Sequence, residues 1–206
     1  MTQGGTGAAA EVLISVAQLE LRVRELAAEI VDDHRDGNRI PVLVSVLKGS
    51  TFFLADLVRA LDIDLEVDFM SISSYAATAQ QSGVVRIIKD LEGDIAGRDV
   101  IVVEDIVDTG LTLTYLRKAL TERAPRSLKA LGLLDKRARR IVPVPIEYVG
   151  FEIPDVFVVG YGMDFMGRYR NIPEILAVRD LPRLANAPDL LVDTVFGAPF
   201  PARAGE

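Results

Sequence analysis

The sequence predicts an α/β domain with a mainly parallel, twisted sheet flanked by helices, and three observations carry that reading. Nearly unbroken apolar runs recur at 40–47, 100–103 and 128–134, the first two rich in β-branched residues. That is the pattern of strands buried on both faces of a parallel sheet. Runs with apolar residues three and four apart lie between them: Leu19, Val23, Leu26 and Ile30, then Phe53, Leu54, Leu57, Val58 and Leu61, then Leu113, Leu116 and Leu120. Strands alternating with helical periods imply crossover connections and helices on both faces of the sheet. The third observation is the length of 206 residues, about one α/β domain, without an internal repeat or a second domain.

Each element has its local reason. Residues 1–12 are Gly/Ala-rich and are expected to form a flexible tail ahead of a domain spanning 13–181. Ser15 and Gln18 have capping-box spacing, so the first helix starts there and runs to about residue 30, with Gly37-Asn38 ending the segment. A strand over 40–47 leads through Lys48-Gly49-Ser50 into the second helix. Leu65–Ser73 and Val84–Ile88 read as a strand pair around a small, polar loop at 75–83. Val100–Val103 is the central strand, and Asp108–Thr112 turns it into the third helix. Leu128–Leu134 is a strand, and the basic run Lys136–Arg140 after it reads as a solvated loop, with anion binding or a subunit contact as the alternative. Ile146–Val149 and Val156–Val159 read as short strands around a turn at 150–155. From Pro182 onward four prolines and several alanines mark a C-terminal extension, 182–206, with a short helix expected near 189–195.

The bulk properties exclude several classes of function. A net charge of −7 argues against a nucleic-acid binder. With no cysteine, disulfides and thiolate metal sites are impossible. The single histidine, His34, sits among charged residues and reads as a solvated helix end. No apolar run reaches membrane-spanning length, and the N-terminus lacks the pattern of a signal peptide, so a cytoplasmic protein is expected.

The chemistry concentrates where strands end. In an open parallel sheet the ligand crevice lies beyond the carboxyl ends of the strands. Three segments converge there: Lys48-Gly49-Ser50, Glu104–Thr112 and Gly160–Arg170. Glu104, Asp105 and Asp108 stand beside a turn, Thr109-Gly110-Leu111-Thr112, that opens a helix. Free N–H groups at a helix start attract phosphate, whereas carboxylates repel it. The two fit together if a metal ion and sugar hydroxyls arrive with the phosphate.

Glu-Asp-Ile-Val-Asp-Thr-Gly-Leu-Thr at 104–112 resembles the 5-phosphoribosyl-1-pyrophosphate (PRPP) signature of type I phosphoribosyltransferases, in the wording of the hypoxanthine-guanine branch. Leu47-Lys48-Gly49-Ser50, Ser73-Ser74-Tyr75 and the stretch from Val149 to Asp164 resemble the family's pyrophosphate loop, closing loop and purine-binding region, in the family's order, over roughly residues 13–180. The resemblance implies the type I fold with a small hood and a flexible lid loop. It implies a Mg²⁺-dependent transfer of phosphoribose from PRPP to hypoxanthine or guanine, with Asp108 as general base. Lys48, Gly49, Ser74, Tyr75, Glu104, Asp105, Thr109, Gly110, Leu111, Thr112 and Arg170 would bind PRPP. Phe157, Val158 and Asp164 would bind the base, and Asp164 with Glu104 and Asp105 would hold the metal. The partners implied are small molecules only, neither nucleic acid nor membrane, and a homo-oligomer, dimer or tetramer, is expected. Alternatives within the resemblance are a xanthine- or pyrimidine-directed enzyme and a non-catalytic PRPP sensor. Two departures stand out: Pro145 at the position where the family is expected to carry a lysine for the purine 6-oxo group, and the extension beyond Leu181.

Overall fold

The computed structural model describes residues 9–35, 39–74 and 85–196. The expected loop at 75–83, Tyr75 and Gly37-Asn38 lie outside the described residues. In chain order the elements are β1 (Ala10–Ile14), α1 (Val16–Asp33), β2 (Val42–Leu47), α2 (Thr51–Ala60), β3 (Glu66–Ser74), β4 (Val85–Lys89) and β5 (Asp99–Val107). They continue as α3 (Leu111–Thr121), β6 (Ser127–Asp135), β7 (Tyr148–Glu152), β8 (Phe157–Val159), β9 (Ile175–Val178), α4 (Leu181–Asn186) and α5 (Val192–Phe196).

Alternating side chains divide the main sheet between two cores, as its period of two requires. The sheet has the order β4-β3-β2-β5-β6-β7, parallel except for the antiparallel β3–β4 edge. Leu43, Ile101, Val103, Leu131 and Leu133 face α1 and α2, where they meet Leu26, Ile30, Phe53 and Leu57. Val42, Val44, Val100, Val102 and Ala130 face the other way, onto Leu113, Leu116 and Leu120 of α3. Both faces are therefore dry, which explains the apolar runs of the central strands. The capping box at Ser15 and Gln18 is formed, and His34 caps the other end of α1, its Nδ1 2.7 Å from the Ile30 carbonyl oxygen.

Two expectations need correction. Residues 10–12 are not tail: β1 pairs antiparallel with β9, and β9 with β8, making a second small sheet. The segment expected to turn at 150–155 begins as strand, because β7 runs through Gly150 to Glu152. Gly150 serves close approach there, since a Cβ would sit 2.3 Å from the Leu133 carbonyl oxygen of β6. The C-terminal extension is folded at its start, with Leu184 and Leu191 buried against the small sheet. Among the described residues no helix is long and apolar enough to cross a membrane.

Candidate active site

A cavity of about 290 Å³ opens beyond the carboxyl ends of β2 and β5, and most of the candidate residues line it. From β2 come Lys48 and Gly49; from β5 and its turn come Glu104, Asp105, Asp108, Thr109, Gly110 and Thr112; Asp164 and Arg170 close the far side. Four carboxylates thus face two cations around one space. Leu111 supplies only the first turn of α3, its side chain being half exposed. Ser74 ends β3.

Backbone packing shapes the floor. The Leu47–Lys48 peptide is cis. Ser50, buried, donates its hydroxyl to the Val46 carbonyl at 2.5 Å and lies 2.7 Å from the Ser45 hydroxyl, which ties the loop to the strand that precedes it. Gly49 presses on the acidic wall: a Cβ would lie 1.7 Å from Oδ2 of Asp105. Gly110 caps α3 with φ of 85°, and a Cβ there would meet the Val142 carbonyl oxygen at 2.6 Å. Both tests call for glycine, the second on conformation and space together. The first turn of α3 then starts at the cavity, lined there by Gly110, Thr112 and Leu113, with the Leu111 N–H donating to the Thr109 hydroxyl at 3.4 Å.

The acids are held in different states. Glu104 is buried, one carboxylate oxygen has no hydrogen-bond partner, and burial raises its pKa well above the usual carboxylate range. Burial also lifts Asp105 to about 6, with the Asp164 charge adding to the rise and Arg170 opposing it. Asp164 is engaged on both oxygens, by the Gly167 N–H at 2.6 Å and by Arg170 Nη2 at 2.7 Å. Arg170 donates from Nη1 to the Gly162 carbonyl at 2.6 Å. Asp108 is half-exposed and forms an ion pair with Arg139, Nε to Oδ1 at 2.9 Å, without the alignment of a hydrogen bond.

Phe157 and Val158 do not line this cavity. Phe157 is half-buried on β8, edge-to-face with Phe165 at 5.9 Å between ring centroids, and Val158 is buried beneath it. β8 is an edge strand of the small sheet, so backbone groups on its outer side are not used by a neighbouring strand.

The basic run 136–140 is not the solvated loop expected. Arg137 is exposed, but Lys136 is only 6% exposed, and Arg140 forms a buried ion pair with Asp135. The loop folds back onto the phosphate turn, where Ile141 and Val142 both donate N–H groups to the Thr109 carbonyl, at 2.9 and 3.2 Å. Lys136 thereby sits at the end of β6 between two parts of the site. Its N–H donates to the Val107 carbonyl at 3.0 Å, and its Nζ is 4.0 Å from Asp155, two residues before Phe157. Pro145, by contrast, lies off the cavity on a separate hollow with Val144 and Ile146, and its carbonyl accepts from Arg117. The departure at Pro145 therefore removes no donor from the site. A buried lysine directly after a strand, at the same sheet end as the acids, was the signal that points to Lys136.

Residues 15–166 match the phosphoribosyl transferase domain family. The chain belongs to the phosphoribosyl transferase family. It is 46% identical over 165 residues to the hypoxanthine-guanine phosphoribosyltransferase of Bacillus subtilis (strain 168), covering 80% of this chain and 91% of that one. It is 48% identical over 165 residues to the hypoxanthine phosphoribosyltransferase of Escherichia coli (strain K12), covering 80% and 93%. A crystal structure of a hypoxanthine-guanine phosphoribosyltransferase from Bacillus anthracis superposes with a TM-score of 0.77 at 46% identity, covering 82% of this chain and 98% of that one. The fold is that of type I phosphoribosyltransferases, the small sheet β1-β9-β8 being the expected hood.

Proposed function

We propose that this phosphoribosyltransferase moves the 5-phosphoribosyl group of PRPP to N9 of hypoxanthine or guanine, giving IMP or GMP and pyrophosphate in purine salvage. The observation that carries this reading is the single cavity in which a glycine-capped helix start, two cations and four carboxylates face one another. A phosphate ligand alone would not choose such a wall; a phosphorylated sugar leaving pyrophosphate behind would.

The N–H groups of the Thr109–Thr112 turn take the 5-phosphate. Lys48, the Gly49 backbone and Arg170 take the pyrophosphate. Glu104 and Asp105 accept hydrogen bonds from the ribose hydroxyls, which supplies the partner that the buried Glu104 oxygen lacks. As N9 bonds to the anomeric carbon, the bond from that carbon to pyrophosphate breaks. The proton lost by the purine, from N7, passes to Asp108 as general base. The carboxylates also stabilise positive charge on the sugar in the transition state.

Mg²⁺ suits the hard oxygens of Asp164, Glu104 and Asp105, and when bound with PRPP it offsets the negative charge of the departing pyrophosphate. Among the described residues no three acids converge closely enough to hold an ion alone, so these carboxylates would hold the metal only together with further oxygen ligands. Phe157 stacks on the base, and the backbone around Val158 reads its edge. Lys136 supplies the donor to the 6-oxo group, in the place first assigned to Pro145. Ser74, the last residue of β3, is read as a contact to PRPP.

The test is pyrophosphate release on mixing protein, PRPP and Mg²⁺ with hypoxanthine, guanine, xanthine, adenine or uracil. Turnover of hypoxanthine and guanine is expected, with weaker use of xanthine and essentially none of adenine, whose 6-amino group reverses the donor pattern. Adenine or uracil as the best substrate would overturn the base assignment. Absence of release with every base would overturn the activity.

A further inference from the structure

The segment after residue 180 has no part in the chemistry above, and the family match ends at residue 166. It nevertheless packs on the small sheet, against the residue next to Arg170 of the cavity wall. On the small sheet, Val158 and Ile175 face the main core, while Val159, Leu176 and Val178 face away from it. The outward face would be open to water without Leu184 and Leu191 of the C-terminal segment, which are fully buried in the same cluster as Tyr169.

Tyr169 links this cluster to the site. Its φ is +72°, in the left-handed region that bulky side chains avoid, so something must hold it there. The ring is buried in the cluster with Leu184 and Leu191, and the hydroxyl donates to the Pro188 carbonyl. The Arg168 guanidinium lies over the ring, 5.2 Å from its centroid, and is itself paired with Asp189 at 2.7 Å. Each of these restraints draws on residues 184–191. The next residue is Arg170, whose two guanidinium nitrogens reach Gly162 and Asp164 in the cavity wall. A left-handed residue redirects the chain after it. The Arg170 carbonyl is held by the Gly162 N–H at 2.9 Å, so a change of conformation at Tyr169 would act on where the Arg170 side chain points.

We infer that the C-terminal segment is a working part of the pyrophosphate site: residues 184–191 clamp Tyr169, and Tyr169 is the positioning residue that aims Arg170 at the pyrophosphate. The inference rests on the function proposed above for that cavity. It gives the extension a role in ligand affinity as well as in covering the hood.

The experiment measures Mg²⁺-pyrophosphate binding by calorimetry, steady-state constants and melting temperature on full-length Tyr169→Phe, Asp189→Ala and Leu191→Ser. Pyrophosphate affinity should fall about 3- to 10-fold in each, as expected for losing one or two packed or hydrogen-bonded contacts. PRPP KM should rise in parallel, while KM for the base stays constant. In an Arg170→Ala background Leu191→Ser should add no further loss, because the residue it positions is gone. A merely structural role would lower the melting temperature and leave pyrophosphate affinity alone; that result, or full additivity with Arg170→Ala, overturns the inference. Should Leu191→Ser fail to fold, the same comparison is read from Tyr169→Phe and from Asp189→Ala, whose side chain is exposed. Wild-type protein that neither binds nor releases pyrophosphate would sink the proposed function and this inference together, whereas binding that is equal in wild type and variants sinks only the inference.

Discussion

Arg139 Nε stands 2.9 Å from Oδ1 of Asp108, and the same guanidinium reaches Asp155 through Nη1 at 3.3 Å. The pair therefore joins the carboxylate at the phosphate turn to the segment that leads into Phe157. Both partners are about half exposed, so the link adds little to stability. Its effect should appear in turnover. Asp108→Asn should lower kcat by roughly 10²- to 10⁴-fold, the usual worth of a general base, with PRPP KM changed only slightly. Arg139→Ala should lower kcat about tenfold in the wild-type background and hardly at all beside Asp108→Asn. Near-normal turnover in Asp108→Asn would remove the base from the mechanism.

Gly49→Ala tests the floor of the cavity. The added methyl would overlap the Asp105 carboxylate, at 1.7 Å from Oδ2, and the obstacle is a carboxylate tucked against buried backbone. Either Asp105 or the loop must move. Loss of kcat/KM for PRPP by about 10²-fold or more is expected, since misplacement of about 1 Å in a site costs that much. Circular dichroism should stay that of the wild type. Unchanged kinetics in the Gly49→Ala enzyme would show that this contact does not shape the site.

The raised carboxyls give a pH dependence of definite sign. An ordinary aspartate titrates at 3.8, whereas burial lifts Asp105 to about 6. Between those values the folded chain keeps a proton that the unfolded chain has released. The stability that Asp105 contributes is therefore full below about pH 4 and is lost as pH rises through about 6, and Glu104 contributes with the same sign. Ribose hydroxyls and a metal need the ionised form, so PRPP affinity runs the opposite way. PRPP KM should rise as pH drops below about 6. Asp105→Asn should be more stable than wild type at pH 7.5, by on the order of 1 kcal/mol or roughly 2–4 °C, and should bind PRPP poorly. Calorimetric melting at pH 5 and 7.5 checks this; a destabilised variant at pH 7.5 would contradict it.

Lys136→Met keeps the volume of a buried lysine stem and removes its charge. An unmatched 6-oxo group costs about 1–3 kcal/mol, so KM for hypoxanthine and guanine should rise roughly 5- to 100-fold with PRPP KM little changed. Discrimination against adenine should shrink. Equal base KM in wild type and variant would place the 6-oxo donor elsewhere.

The sheet was legible because its central strands are buried on both faces, which leaves Val42–Leu47, Asp99–Val107 and Ser127–Asp135 no polar residue pattern to confuse with a helix. The cavity was legible because Lys48, Gly49 and the Asp108–Thr112 turn follow the ends of β2 and β5 directly, with Glu104 and Asp105 near the end of β5. Of the hood strands only Phe157–Val159 was, inside the apolar run Val156–Val159; β1 and β9 were not, since Ala10–Ile14 is five residues long and its partner, Ile175–Val178, is remote in the chain. Nothing local announces such a pairing. Lys136 and Arg140 were hidden for a different reason. A run of like charges reads as a wet surface, and only the return of residues 141–142 to Thr109 puts Arg140 against Asp135 and buries Lys136. Gly150 shows the same limit: glycine marks turns and close approaches alike, and only the neighbouring strand decides which.

Gly162, with φ of 100°, stacks its backbone on Gly49: a Cβ at position 162 would lie 2.0 Å from the Gly49 carbonyl oxygen. Gly49 in turn abuts the Asp105 carboxylate, so three chain segments meet around two glycines. This sets a rule for chimeras. A base-recognition segment borrowed from another family member can be grafted onto this scaffold only if it brings glycine at 162, whatever it carries at the positions that touch the purine. Library designs that randomise 156–170 to retarget the enzyme should hold that codon constant, because variants lost there would report on a collision between backbones and say nothing about substrate choice.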